Sequence, residues 1–95
     1  MAVKNLWVVM PVYNEEEAVS AVIEEWQKCL SENVEQFTFC IINDGSKDGT
    51  LGILRKYEAR YKEIKIIDKP NSGHGQTCIY GYQLALDNGA EWIFQ

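Results

Sequence analysis

The apolar positions of the chain change period several times. Residues 6–10 (LWVVM) form an unbroken apolar run, rich in valine and followed by Pro11. Such a run predicts a strand buried on both faces and ended by the proline. Val19, Val22, Ile23, Trp26 and Leu30 then recur at helical spacing, which predicts an amphipathic helix. Asn14 is its predicted N-cap, and Glu15, Glu16 and Glu17 suit the positive end of its dipole. Residues 37–42 (FTFCII) are aromatic and β-branched and predict a second strand. Leu51, Leu54, Tyr57 and Tyr61 mark a second helix, with Asp48 as its predicted cap. Ile64, Ile66 and Ile67 mark a short third strand. From about Gly75, the positions Ile79, Tyr82, Leu84, Ala85 and Leu86 mark a third helix. Asn88-Gly89 stops it, the glycine being suited to a left-handed cap. EWIFQ, residues 91–95, begins a fourth strand.

The order β-α-β-α-β-α-β, with connections of helical length, predicts an α/β fold: an open, mainly parallel sheet covered by helices. With 95 residues there is room for one domain. Complete α/β domains seldom finish on an apolar strand with no closing helix. The expectation is therefore a single partial domain over residues 1–95; a compact four-stranded domain is the alternative.

Charge narrows the partners. The formal net charge is -5 and the pI is near 4.8. That argues against general nucleic-acid binding, which needs cations to displace counterions from phosphates, but leaves room for one nucleotide in a local pocket. Cys29, Cys40 and Cys78 lie far apart, without a CxxC pair, and His74 is the only histidine. This pattern reads as reduced, buried thiols in a cytosolic protein, not as a disulfide framework or a Cys/His zinc site. No apolar segment reaches the roughly 18–20 residues that span a bilayer.

Ligands of an open parallel sheet bind beyond the carboxyl ends of its strands. Three polar or glycine-rich loops should meet there: PVYNEE, NDGSKDGT and KPNSGHGQT. Tyr13, Asn14 and Glu15 of the first either contact a ligand or only end the strand and start the helix. Asp44 of the second either accepts hydrogen bonds from a pyrimidine imide or ribose hydroxyls, or closes an Asx-turn. Gly45 lets the backbone turn away. Asp48 reads as a helix cap. In the third, Gly73 and Gly75 match GxGxxG at two glycines only, with Cys78 in place of the third. A dinucleotide fingerprint is a poor fit and a P-loop is excluded, although backbone N–H groups here could approach a phosphate. His74 reads as exposed, with the capacity to donate to a phosphate.

Taken together, VVMPVYNEEEAV, INDGSKDGT and NSGHGQT resemble the start of family-2 glycosyltransferases, with the polyprenyl-phosphate sugar transferases as a similar subgroup. The usual pattern there is P-x-Y-N-E, then D-D-G-S-x-D-G-T, then N-x-G-x-G. The resemblance implies a GT-A, Rossmann-like fold with strand order 3-2-1-4. It also implies a nucleotide-diphosphate-sugar donor and Mg or Mn. It assigns nucleotide contacts to Pro11, Tyr13, Glu15 and Asp44, to Ile42 through its backbone, and to Gly73 and Gly75. Asn43 departs from the pattern, standing where many members have the first aspartate, which leaves the base open. Metal ligands and the catalytic base are expected after residue 95, with no catalytic residue and no bound metal in the chain itself.

The expected function is the nucleotide-binding part of an enzyme that transfers a sugar to a lipid-phosphate or polysaccharide acceptor. It would work in the cytoplasm or at the cytoplasmic face of a membrane, and the 95 residues alone would be inactive. A non-catalytic α/β binding or regulatory module is the alternative from another class, and a nicotinamide-dependent enzyme a weaker third. An open edge at residues 91–95, carrying Trp92 and Phe94, predicts self-association.

Overall fold

Four parallel strands build one sheet, in which the third strand of the chain lies beside the second, the second beside the first and the first beside the fourth. The computed structural model describes residues 5–95. The strands are β1 (Leu6–Val12), β2 (Phe37–Asp44), β3 (Ile64–Lys69) and β4 (Trp92–Phe94), alternating with helices α1 (Val19–Asn33), α2 (Thr50–Arg60) and α3 (His74–Asp87). This is the α/β class that the periodicity predicts and the strand order that the resemblance implies.

Strand side chains alternate between the faces. Val8, Val12, Phe39, Ile41, Ile64 and Ile66 face α1 and α2, and pack with Val19, Ile23, Leu30 and Leu54. Trp7, Val9, Cys40 and Ile42 face the other way and pack with Ala85 of α3. Both faces are covered, which is why the strands read as continuous apolar runs rather than alternating ones.

Several local expectations change. β1 does not end at Pro11 but runs on to Val12, with Pro11 paired opposite Ile42. β4 pairs with β1 only from Leu6 to Val8. Pro11 therefore has a strand neighbour on one side only, where a residue without an N–H is tolerated. α1 starts at Val19, so Asn14 is not its cap and no acidic residue lies in its first turn. Val22 is exposed, while Gln27 joins the buried face, donating to Glu63 Oε1 at 3.2 Å and Ser31 Oγ at 3.4 Å. Cys29 is exposed, unlike Cys40 and Cys78.

α3 is turned relative to its predicted stripe. Thr77, Cys78, Gly81 and Ala85 face the sheet, whereas Ile79 and Leu86 are 60% and 59% exposed. The cause is close approach. A Cβ at Gly81 would lie 2.3 Å from Val9 Cγ1 and 2.8 Å from Ile42 Cδ1. A helix seated that tightly presents its small residues to the sheet and turns its large ones outward.

Candidate functional site

The three polar loops meet beyond the carboxyl ends of β1 and β2, and NDGSKDGT is the hub that ties them together. It holds the first loop through a set of reciprocal hydrogen bonds. Asn14 N–H donates to Ser46 Oγ at 2.9 Å, and Lys47 N–H donates back to Asn14 Oδ1 at 2.8 Å. Glu15 N–H donates to Thr50 Oγ1 at 2.9 Å. Gly49 N–H donates to Glu16 Oε2 at 3.0 Å, and Glu16 N–H to Asp48 Oδ2 at 3.4 Å. Asn14, which looked like a helix cap in sequence, is a bridge between loops, and its φ of 50° puts it in the left-handed region that asparagine tolerates.

Asp48 stands one position outside the N-cap, Gly49, yet still serves α2. Its carboxylate accepts from the Thr50 N–H at 2.9 Å and from the Thr50 hydroxyl at 2.5 Å. The hydroxyl bond, more than the partial burial that opposes it, holds the Asp48 carboxyl below the usual carboxylate range.

Asp44 holds the third loop. Its side chain is buried at the end of β2, directly opposite Lys69 of β3. Oδ1 accepts from the Ser72 N–H at 2.8 Å and from Lys69 Nζ at 3.2 Å. Oδ2 accepts from the Gly73 N–H at 3.0 Å and from Asn71 Nδ2 at 3.4 Å, and Asn71 Nδ2 also reaches the Asp44 carbonyl at 2.9 Å. Burial pushes the Asp44 carboxyl up. The Ser72 N–H, Lys69 and the Thr77 hydroxyl together outweigh it and bring the carboxyl below its ordinary value. Gly45 makes the geometry available: its φ is +68°, and a Cβ there would lie 2.6 Å from the Asn71 nitrogen. An L-residue would be strained and would also push the third loop away.

Between these loops lies a cleft of about 470 Å³, lined by Pro11, Val12, Tyr13, Glu15, Asp44, Asn71, Gly73 and His74. Five of the seven predicted site residues line it. Ile42 does not, since its side chain is fully buried under α3, leaving only its backbone near the strand end. Gly75 sits in the first turn of α3, outside the lining. Tyr13 is 44% exposed at the rim of this cleft. A larger depression of about 670 Å³, bordered by Glu35, Phe37, Glu63 and Ile64, lies at the amino ends of β2 and β3. That is the wrong end of a parallel sheet for ligand chemistry, and no glycine-rich loop reaches it.

Asn71, Ser72 and Lys69 were missed as site-building residues. The signal was present in K-P-N-S-G, a compact polar run directly after a strand. Its partner, however, lies more than twenty residues earlier.

The profile of glycosyl transferase family 2 matches residues 7–94. The chain belongs to this family. Among curated family relatives, an uncharacterized glycosyltransferase, YkcC, of Bacillus subtilis is 29% identical over 90% of this chain and 24% of its own length. The UDP-N-acetylglucosamine–dolichyl-phosphate N-acetylglucosaminyltransferase of Methanococcus voltae is 30% identical over 96% of this chain and 39% of its own. A dolichyl-phosphate beta-glucosyltransferase of Trichomonas vaginalis, ALG5A, is 36% identical over 80% of this chain and 25% of its own. The chain thus spans well under half the length of these glycosyltransferases. Among the described residues, no helix is long and apolar enough to cross a membrane.

Proposed function

We propose that the chain is the donor-nucleotide-binding part of a family-2 glycosyltransferase. The transfer would run from a nucleotide-diphosphate sugar to a lipid-phosphate or polysaccharide acceptor. Two relatives named for dolichyl phosphate favour the lipid phosphate, which would place the work at the cytoplasmic face of a membrane. The observation that carries the reading is the cleft itself: Pro11, Tyr13, Glu15, Asp44 and Gly73, from three separate loops, line one cavity beyond the carboxyl ends of the strands.

In this reading Tyr13 packs against the base. The Glu15 carboxylate accepts from the nucleoside. Gly73 and Gly75 bring the backbone close to the diphosphate, with His74 in reach to donate to it. A bound Mg or Mn would neutralise the leaving diphosphate. The described residues do not fit such an ion, since no group of three or more His, Cys, Asp or Glu is placed to hold one. The metal ligands, like the acceptor site, are sought outside these 95 residues.

Calorimetric titration with UDP and with GDP tests the proposal. Saturable one-site binding of at least one of them, weakened by Glu15→Ala, is expected. Absence of binding by both would leave the alternative of a non-catalytic module. A turnover assay with sugar nucleotides and Mn is expected to show no transfer by this chain alone.

A further inference from the structure

Three donor side chains converge where the first turn of α3 meets the end of β4. His74 opens α3 and Cys78 follows one turn later, so both lie on one face of the helix. His74 Nε2 and Cys78 Sγ are 3.6 Å apart. Gln95, just after β4, reaches both: its Nε2 lies 3.0 Å from Cys78 Sγ and 3.4 Å from His74 Nε2. His74 and Gln95 are exposed, whereas Cys78 is buried. No third His, Cys, Asp or Glu joins them among the described residues, and the carboxamide takes that place.

These separations match the edges of a zinc coordination shell. With Zn–S near 2.3 Å and Zn–N or Zn–O near 2.1 Å, tetrahedral angles put sulfur and nitrogen about 3.6 Å apart, and nitrogen and oxygen about 3.4 Å apart. The remaining edge, at 3.0 Å, is shorter, and rotation of the exposed Gln95 side chain opens it. A half-turn of the carboxamide brings Oε1 to the place of Nε2. The Tyr82 hydroxyl, which donates to Oε1, then accepts from Nε2, so the turned amide stays held.

We propose that His74 Nε2, the Cys78 thiolate and Gln95 Oε1 bind a zinc ion, with a fourth position open to water. The ion replaces the thiol proton, which leaves to solvent. Imidazole and thiolate select zinc over Mg or Mn, which prefer oxygen ligands. The site is therefore separate from any ion on a donor diphosphate. Nor is it the closed four-ligand centre that the cysteine spacing excludes. His74 stands at the positive end of α3, which disfavours a cation, but the thiolate cancels one of the ion's two charges. The two exposed ligands leave the metal a path in. His74 also lines the cleft, so a bound ion would fix one of the cleft's own side chains. The metal site does not depend on nucleotide binding.

Cobalt(II) tests the site on the full 95-residue chain, because thiolate coordination gives it a charge-transfer band in the near ultraviolet. One cobalt per chain, with that band, displaced by zinc, is the expected result. Cys78→Ser should abolish the band, and Cys29→Ser, which removes the exposed thiol, should leave it unchanged. His74→Ala should weaken zinc binding about tenfold or more, since even outer partners of a ligand contribute that much. Its side chain is exposed, so this variant decides the matter if Cys78→Ser fails to fold. Absence of the band, its loss in Cys29→Ser, or unchanged zinc affinity in His74→Ala would overturn the site. Gln95→Ala should weaken binding as well, and an unchanged affinity there would refute the three-donor arrangement.

Discussion

Asn43 and Asp68 face each other across the β2–β3 ladder, with Asn43 Nδ2 donating to Asp68 Oδ1 at 3.0 Å. Asn43 is 1% exposed, and its own Oδ1 has no partner. It lies on the α1–α2 side of β2, among the positions of Phe39 and Ile41, and is not part of the cleft lining. The asparagine is matched to its neighbour. An aspartate at 43, the residue the resemblance implies for many members, would set two carboxylates against each other. Asn43→Asp is expected to cost about 2 kcal/mol in urea denaturation at pH 7. Adding Asp68→Asn should recover most of it, because the donor then sits on the other strand.

Removal of the Asp44 side chain leaves Lys69 and two loop N–H groups without their acceptor. Asp44→Ala is expected to lose about 3 kcal/mol of stability. Because the folded carboxyl lies below its ordinary value, the native state binds fewer protons than the unfolded one in that window. The contribution is complete above the unfolded carboxylate value of about 3.9 and fades as pH falls through the lower folded value. Denaturation of wild type and Asp44→Asn from pH 7 to pH 2.5 should show a constant gap down to about pH 4.5, then a narrowing one.

Two glycines of the loops should respond in opposite ways. At Gly45 a Cβ would lie 2.6 Å from the Asn71 nitrogen on a backbone with φ of +68°, whereas around Gly75 nothing lies within 4 Å. Gly45→Ala is expected to cost about 2 kcal/mol and to weaken nucleotide binding by displacing the third loop. Gly75→Ala should stay within about 1 kcal/mol of wild type in the same melt, since it only adds a helix-favouring methyl group.

Glu15 is exposed, and its carboxylate supports no other part of the described fold. Glu15→Gln should leave the melting temperature unchanged and weaken UDP or GDP binding about tenfold or more, as expected for losing a charged hydrogen bond. An unchanged dissociation constant would remove Glu15 from the nucleoside contact.

The outer side of β4 pairs with no other strand among the described residues. Trp92 and Phe94 of this edge strand are 59% and 51% exposed on a face of the sheet, where Phe94 packs against Trp26 with ring centroids 5.7 Å apart. A concentration series in the analytical ultracentrifuge is expected to show self-association. Trp92→Lys should reduce it, since a charged side chain blunts an exposed edge. A single monomeric species at all concentrations would contradict the expectation.

The amino-acid order alone determined the class of the fold, the number and sequence of its elements, and the end of the sheet where the loops gather. Those properties follow from local period and from the rule that parallel strands need crossovers, and LWVVM, FTFCII and the positions around Leu54 carry them without help. Most of the cleft was named through the family resemblance that these loops carry, which assigned Pro11, Tyr13, Glu15, Asp44 and Gly73 to it. Tertiary structure decided what those residues touch. The inward face of α3 was misread because Gly81 brings the helix so close to Val9 and Ile42 that small residues, not Ile79 and Leu86, fit beneath it. Asn14 became a bridge rather than a cap because Ser46 and Lys47 arrive beside it from more than thirty residues away. Asp44 could be placed at the site from sequence, but its occupation by Ser72, Gly73, Asn71 and Lys69 could not. A carboxylate's partners depend on which loops the sheet register brings within about 3 Å, and no local pattern along the chain encodes that distance.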